Sequence, residues 1–427
     1  MNLLKGAILT SCAHLSRIVM GFILIKIIAY YLGAEGMGAL GHFMSVSTMV
    51  YMIAGGGVIN AVIKYAAEYA RQPRLLLRFV SVSATYSAIF CLVVMCVGVV
   101  FSKKIASLVF KDPDMYWVII ILAVAQVLFA FVNLVVGLSN GLMKTDIYSK
   151  IQIFGSLSAL PIVWGLISQY GSVGAALSII VLYAITFIPA FYFFWKSSFR
   201  NKVSLVKFKK IEFLRLSSYT LMLMTSAVTF PVVEIIVRQM LIDSAGYSAA
   251  GVWQGAIKLS SAYLGFFSIF LAYYFMPMIS RLEVKHEIGL VTLKFVVLMA
   301  VIFAAGGGVL YIGRGFFIPL ILSSSFNALD EVIVFQLVGD FFKVLSYVIG
   351  FVAVAKAATK IYIASELVQN ALFLLLSLMM LKVYPDTKGV MVGYAISYVI
   401  YFVVVVVVFA IYLKSTSIGR KADAIHC

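Results

Sequence analysis

The sequence predicts an all-α integral membrane protein, with about 12 transmembrane helices in two six-helix bundles around a central cavity. Three observations predict it. Of the 427 residues, 63% are hydrophobic and only 11% are charged, a balance that suits lipid rather than water as the main solvent. Apolar runs of about 20 residues, the length that crosses a bilayer as a helix, recur from end to end. The basic residues gather on alternate connections between those runs, as they do where cytoplasmic loops retain positive charge.

Taken in order, the spans fall at roughly 4–32, 36–66, 76–101, 114–141, 146–168, 172–196, 212–241, 247–280, 288–313, 328–356, 360–381 and 389–413. The first is too long for a cleavable signal and lacks a small-residue cleavage site, so it is expected to stay as helix one. With the N-terminus inside, 22 of the 33 Lys and Arg residues lie in cytoplasmic segments. Lys5, Arg420 and Lys421 are among them. Six lie outside (Lys103, Lys104, Lys111, Arg314, Lys382 and Lys388) and five within spans. That asymmetry predicts an even number of crossings and both termini in the cytoplasm. It also accounts for the net charge of +17 without a nucleic-acid partner.

The longest basic stretch, Lys196 to Arg215, separates spans six and seven and divides the chain into an N-terminal bundle, 1–200, and a C-terminal bundle, 201–427. The halves echo one another. GMGALGHF from Gly36 to Phe43 resembles GYSAAGVW from Gly246 to Trp253, and KTDIY at Lys144 to Tyr148 resembles ATKIY at Ala358 to Tyr362. Two similar offsets predict a parallel repeat about an axis along the membrane normal, a plan that transporters use.

Enzyme signatures are missing. The chain has no GxxxxGK[ST], HExxH or GxSxG, and its loops are too short for an extramembrane catalytic domain. His14, His42, His286 and His426 have no metal-ligand spacing. Cys12, Cys91, Cys96 and Cys427 form no CxxC pair or disulfide framework. No metal, cofactor or catalytic residue is expected.

Charge inside the spans carries the functional reading, because it is costly in lipid and usually faces protein or a water-filled path. Five such residues are basic: Arg17, Lys26, Arg238, Lys258 and Lys343. Three are acidic: Glu234, Asp340 and Glu366. The surplus of positive charge suits an anionic cargo, and arginine grips phosphate bidentately. Each of the five cations is therefore a candidate substrate contact. Glu234 with Arg238, four apart, and Asp340 with Lys343, three apart, also have the spacing of same-helix pairs. The three acids are candidates for ion coupling or for charge pairing, Glu366 either with a cation from elsewhere or as a proton carrier. Arg17 and Lys26 are nine apart, half a turn off a common face; His14 shares the face of Arg17. Pro231, just before Glu234, is a candidate hinge. The triplets Gly55–Gly57 and Gly306–Gly308 are read chiefly as close-packing sites.

These residues resemble a known family. The start of the chain, with Lys5, Arg17, Gly21, Lys26, Gly33, Gly36 and Gly38, is similar to the first helix of Wzx-type flippases, the polysaccharide branch of the superfamily that includes MATE exporters. GGGVINAVIKY (Gly55–Tyr65), TFPVVEIIVRQML (Thr229–Leu241), WQGAIKLSSAYL (Trp253–Leu264) and QLVGDFFKV (Gln336–Val344) with AKAATKIYI (Ala355–Ile363) extend the likeness over nearly the whole chain. The WQG and QLVGD blocks are the most specific. The resemblance implies a MATE-like fold in the bacterial inner membrane. It also implies a lipid-linked oligosaccharide flippase, closest to the lipid III and O-antigen subgroup, that moves an undecaprenyl-pyrophosphate-linked oligosaccharide from the cytoplasmic to the periplasmic leaflet by alternating access through a cationic cavity. Arg17, Lys26, Arg238, Asp340 and Lys343 match the motif positions of such proteins, and Lys258, inside the WQG block, reads as tuned to this chain's own sugar. The implied partners are the substrate and membrane lipids, with a polysaccharide polymerase and a chain-length regulator downstream; the protein is expected to be a monomer. The alternative is a MATE-like cation-coupled drug exporter, against which helix one weighs: it has no carboxylate before Glu35. A sugar-polymerising membrane enzyme would be expected to carry a large periplasmic loop, absent from this span assignment.

Overall fold

The computed structural model describes residues 3–207, 209–356 and 358–415. The side chains of Lys5, Cys12 and His14, and all of Arg420, Lys421, His426 and Cys427, lie outside the described residues.

The described residues form helices joined by short turns, with no strand among them. In order they are α1 (Leu3–Ile53), α2 (Ile59–Glu68), α3 (Pro73–Val100), α4 (Ser102–Phe110), α5 (Tyr116–Gly141), α6 (Thr145–Ala184) and α7 (Phe187–Trp195). Then follow α8 (Lys210–Phe270), α9 (Met276–Arg281), α10 (Lys285–Ile312), α11 (Arg314–Ile321), α12 (Leu329–Ala355), α13 (Thr359–Val383) and α14 (Thr387–Lys414). Pro73 opens α3 at a first-turn position, where its missing N–H costs nothing.

Among the described residues nine helical stretches are long and apolar enough to cross a membrane. Three of them, Leu15–Glu68, Thr145–Trp195 and Lys210–Phe270, have 54, 51 and 61 residues, over twice the ~20 that a bilayer requires. Each contains a glycine with non-helical backbone near its middle, Gly33, Gly171 or Gly246. The chain doubles back at these points. A Cβ on Gly174 would collide with the carbonyl of Leu166, although eight helical residues span about 12 Å. Arg238 and Gln254 hydrogen-bond at 2.6 Å, although sixteen helical residues span about 24 Å. Ala13 and Ile59 pack in one apolar cluster. At Gly246 φ is 82° and ψ 177°, a conformation almost restricted to glycine. Counting each long stretch as two crossings brings nine to the expected twelve.

Other details depart from the expected spans. Helix two is not one rod: α1 ends at Ile53, Gly55–Gly57 adopt left-handed backbone, and α2 starts at Ile59. Span eight passes through a π-turn at Leu271–Phe275 before α9. Two short helices, α4 and α11, occupy segments read as loops. The α4 pattern was present in the sequence, since Ser102, Ala106 and Val109 recur at helical spacing and are the residues it buries. Of the glycine triplets only the first packs closely: Ser87 Oγ donates to the Gly55 carbonyl (2.9 Å) and Thr220 Oγ1 to that of Gly56 (2.6 Å). Gly306 and Gly308 face open space in unbroken α10.

The chain divides into two compact units. The first comprises Met1–Lys258, Phe316–Asp330 and Pro385–Thr387; the second comprises Leu259–Gly315, Glu331–Tyr384 and Lys388–Cys427. In the first, residues 34–53 of α1 cross residues 247–258 of α8 backbone to backbone. A Cβ on Gly38 would strike the Tyr247 carbonyl, and one on Gly251 the Ala34 carbonyl. Small residues at a crossing let two helices approach this closely in lipid.

Candidate functional site

That crossing positions a buried polar knot in the first unit. Arg238 is fully enclosed, and Glu234, one turn before it, is 8% exposed. The Arg238 guanidinium donates through Nη1 to Ser45 Oγ (3.2 Å) and through Nη2 to Gln254 Oε1 (2.6 Å). Ser45 Oγ in turn donates to Glu234 Oε2 at 3.0 Å. The expected Glu234–Arg238 pair therefore exists as a serine-bridged pair. Trp253 sits 5.5 Å from the guanidinium carbon, close enough for a cation–π contribution. A Cβ on Gly41 would occupy the space of the Arg238 side chain. Among the described residues, Arg238 Nε and both His42 nitrogens are buried without a hydrogen-bond partner. Lys258, half-buried, lies within electrostatic reach of Glu234 and Arg238. Burying the charges of this knot costs several kcal/mol per ion, so each polar neighbour has a stabilising task.

The second unit holds a carboxylate cage. Asp340 on α12 is completely buried. Its Oδ2 accepts from Ser260 Oγ at 2.5 Å and from Tyr263 Oη, and its Oδ1 accepts from Tyr394 Oη at 2.7 Å. Gln336 Nε2 adds a longer contact of 3.3 Å. Tyr394 also accepts from Lys343 Nζ (3.3 Å), so its hydroxyl bridges the Asp340 carboxylate and the Lys343 ammonium. Lys343 lies 5.5 Å and 4.9 Å from the centroids of Tyr394 and Tyr398.

The other predicted residues are dispersed. Arg17 is exposed and makes no ion pair among the described residues. It acts electrostatically on Tyr183, whose ring stacks on Tyr51 at 4.2 Å. Lys26 is half-buried and donates to the Pro319 carbonyl at 3.0 Å. That carbonyl lies in the last turn of α11, where helical carbonyls lack intrahelical partners, so Lys26 caps α11 and ties it to α1. Arg17 and Lys26 thus meet different surroundings, as their half-turn offset requires. Glu366 on α13 is half-buried, within electrostatic reach of Lys343. Pro231 is buried inside α8, and Gly246 is the non-helical residue of that helix.

Comparison with known proteins places these features. Residues 3–283 match the family described as "Polysaccharide biosynthesis protein". The chain is 30% identical over 404 residues to proteins named "Lipid III flippase" from Escherichia coli (strain K12) and Shigella flexneri, covering 94% of this chain and 97% of each relative. The chain belongs to the polysaccharide biosynthesis protein family. Solved structures of MATE transporters share its fold, two among them as follows. One is an inward-facing multidrug resistance MATE family transporter of the MOP superfamily (TM-score 0.69, 14% identity, covering 94% of this chain and 96% of that one). The other is a MATE protein in a bent conformation (TM-score 0.64, 13% identity, covering 96% and 94%). This polysaccharide biosynthesis protein is thus a multi-pass membrane protein of MATE-like fold, grouped with transporters rather than enzymes.

Several residues of this family member carry the buried networks without being singled out by charge: Ser45, Gln254, Ser260, Tyr263, Gln336, Tyr394 and Tyr398. A signal for most of them existed. Trp253, Gln254, Ser260 and Tyr263 all come from the WQGAIKLSSAYL block, and Gln336 with Asp340 from the QLVGD block. The two blocks that resemble the flippases most specifically supply Gln254 and Trp253 to the knot and Ser260, Tyr263, Gln336 and Asp340 to the cage.

Proposed function

We propose that the protein is a lipid-linked oligosaccharide flippase. It carries an undecaprenyl-pyrophosphate-linked oligosaccharide, either an O-antigen repeat unit or common-antigen lipid III, from the cytoplasmic to the periplasmic leaflet of the bacterial inner membrane by alternating access. The full-length likeness to the Lipid III flippases carries this reading. The halves 1–200 and 201–427 act as the repeated bundles; Gly33 and Gly246, whose spacing falls between the two repeat offsets, support that division. Both termini are cytoplasmic, the protein works as a monomer, and a polymerase and a chain-length regulator act on its product.

Arg17 is the primary pyrophosphate contact. It is exposed without an acidic partner in range, and an unneutralised guanidinium beside hydroxyl-bearing rings binds phosphate well. Lys258 adds positive charge in the same unit, and Lys26 contributes both charge and the α11 cap. Arg238 and Lys343 respond to substrate through the knot and the cage that hold them. Asp340 and Glu234 serve coupling or charge pairing, and Pro231 acts as the hinge of α8.

The test is complementation of a cell that lacks its own flippase. Wild type restores surface polysaccharide, Arg17→Ala at equal expression reduces it by at least about tenfold, and Pro231→Ala slows it without loss of protein. Full activity in the Arg17→Ala/Lys26→Ala double variant overturns the cationic path. Coupling through Asp340 requires that flipping in proteoliposomes responds to an imposed pH gradient.

A further inference from the structure

The second unit carries a face of which this charge scheme uses only Lys343. It is built where α12, α13 and α14 bring together Lys343, Tyr347, Glu366, Asn370, Tyr398 and Tyr401. Tyr394, fixed to Asp340 at 2.7 Å, packs on Tyr398 with centroids 4.8 Å apart. Tyr398 meets Tyr401 edge to face at 6.2 Å and 89°. Tyr401 lies within electrostatic reach of Glu366 and Tyr347. Lys343, Tyr347, Glu366 and Tyr401 are all half-buried.

On the same helix as Glu366, two amide atoms are buried without a partner among the described residues: Gln369 Nε2, a donor, and Asn370 Oδ1, an acceptor. Asn370 itself is 1% exposed, and its Nδ2 is held by the Glu366 carbonyl at 2.9 Å. An unmatched buried amide loses free energy until a hydroxyl or water meets it.

We propose that this tyrosine–amide face is the glycan subsite of the carrier, resting on the flippase reading above. Three properties select a sugar over the diphosphate. Lys343 is already matched by Asp340 through the Tyr394 hydroxyl and Glu366 adds a negative charge, so the face has no net attraction for an anion. The half-buried Tyr347 and Tyr401 offer ring surface for the C–H face of a pyranose, with hydroxyls at its edge, over a base formed by the buried Tyr394 and Tyr398. The carboxylate, ammonium and amides provide both acceptors and donors, which a polyhydroxylated ligand satisfies and a diphosphate, acceptor only, does not.

Binding of two probes to the full-length protein in nanodiscs tests the subsite. One probe is the lipid-linked oligosaccharide purified from the flippase-deficient strain that wild type complements; the other is undecaprenyl diphosphate without sugar. Tyr401→Phe and Glu366→Gln are expected to weaken the glycosylated probe about tenfold, near the worth of one charge-assisted hydrogen bond. The sugarless probe should shift less than about twofold, well under that bond's worth. Arg17→Ala should weaken both probes alike. Melting temperature and a monodisperse elution profile confirm that the variants fold. Equal loss on both probes, or no loss on either, overturns the subsite. Failure of wild type to bind either probe overturns the flippase reading instead.

Discussion

Arg238 is the residue on which the first unit most depends. It has no exposed surface, and its guanidinium joins two elements through Ser45 on α1 and Gln254 beyond the Gly246 break. Arg238→Ala would leave Glu234 as an uncompensated buried charge, at a cost of about 3–5 kcal/mol. Arg238→Lys keeps the charge but loses the two-pronged geometry, and should recover only part of that loss. Thermal unfolding of detergent-purified protein, followed by fluorescence-detected gel filtration, checks the order wild type, Lys, Ala. A lysine variant as stable as wild type would show that charge, not the fork, holds the knot. The existence of an Arg238–Glu234 association was readable from their four-residue spacing. Its form was not, because Ser45 lies almost two hundred positions away and is an ordinary small polar residue in an apolar run. Asp340 repeats the lesson: the cage is made by hydroxyls of Ser260, Tyr263 and Tyr394, and spacing to Lys343 said nothing of them.

At the scale of elements, two glycines in apolar helices have opposite roles. Gly246 holds φ 82° and ψ 177°, and a side chain there costs about 1–3 kcal/mol in backbone strain alone. Gly246→Ala should therefore lower the yield of monodisperse protein and its melting temperature. Gly306 lies in the unbroken α10 with open space around its Cβ position, so Gly306→Ala should be neutral or stabilise by up to about 1 kcal/mol. The paired measurement separates turn glycines from spacer glycines; equal effects at both sites would refute the distinction. Hydropathy located nearly every helix, because the membrane fixes length and composition together. It also separated glycines that break a helix from one that rides inside it: the gaps after 32, 168 and 241 hold Gly33, Gly171 and Gly246, whereas Gly306 lies within the span 288–313. The short α4 and α11 escaped because neither has the length on which the membrane signal depends.

For the whole molecule the reversals decide which side of the membrane each loop occupies. Between Lys104 and Asn201 the chain runs through α5, α6 and α7. If Gly171 reverses α6, three crossings separate those positions and they face opposite compartments; if it does not, two crossings put them on the same side. The charge pattern favours the first case. The segment around Asn201 carries Lys196, Arg200, Lys202, Lys207, Lys209, Lys210 and Arg215, whereas that around Lys104 carries only Lys103, Lys104 and Lys111, the imbalance expected where the former is the cytoplasmic segment. Both positions are exposed. In a background freed of Cys12, Cys91, Cys96 and Cys427, a membrane-impermeant maleimide should label Lys104→Cys in spheroplasts and Asn201→Cys only in inverted vesicles. Labelling of both in the same preparation would remove the reversal at Gly171, the even count of crossings and, with it, the cytoplasmic placement of both termini.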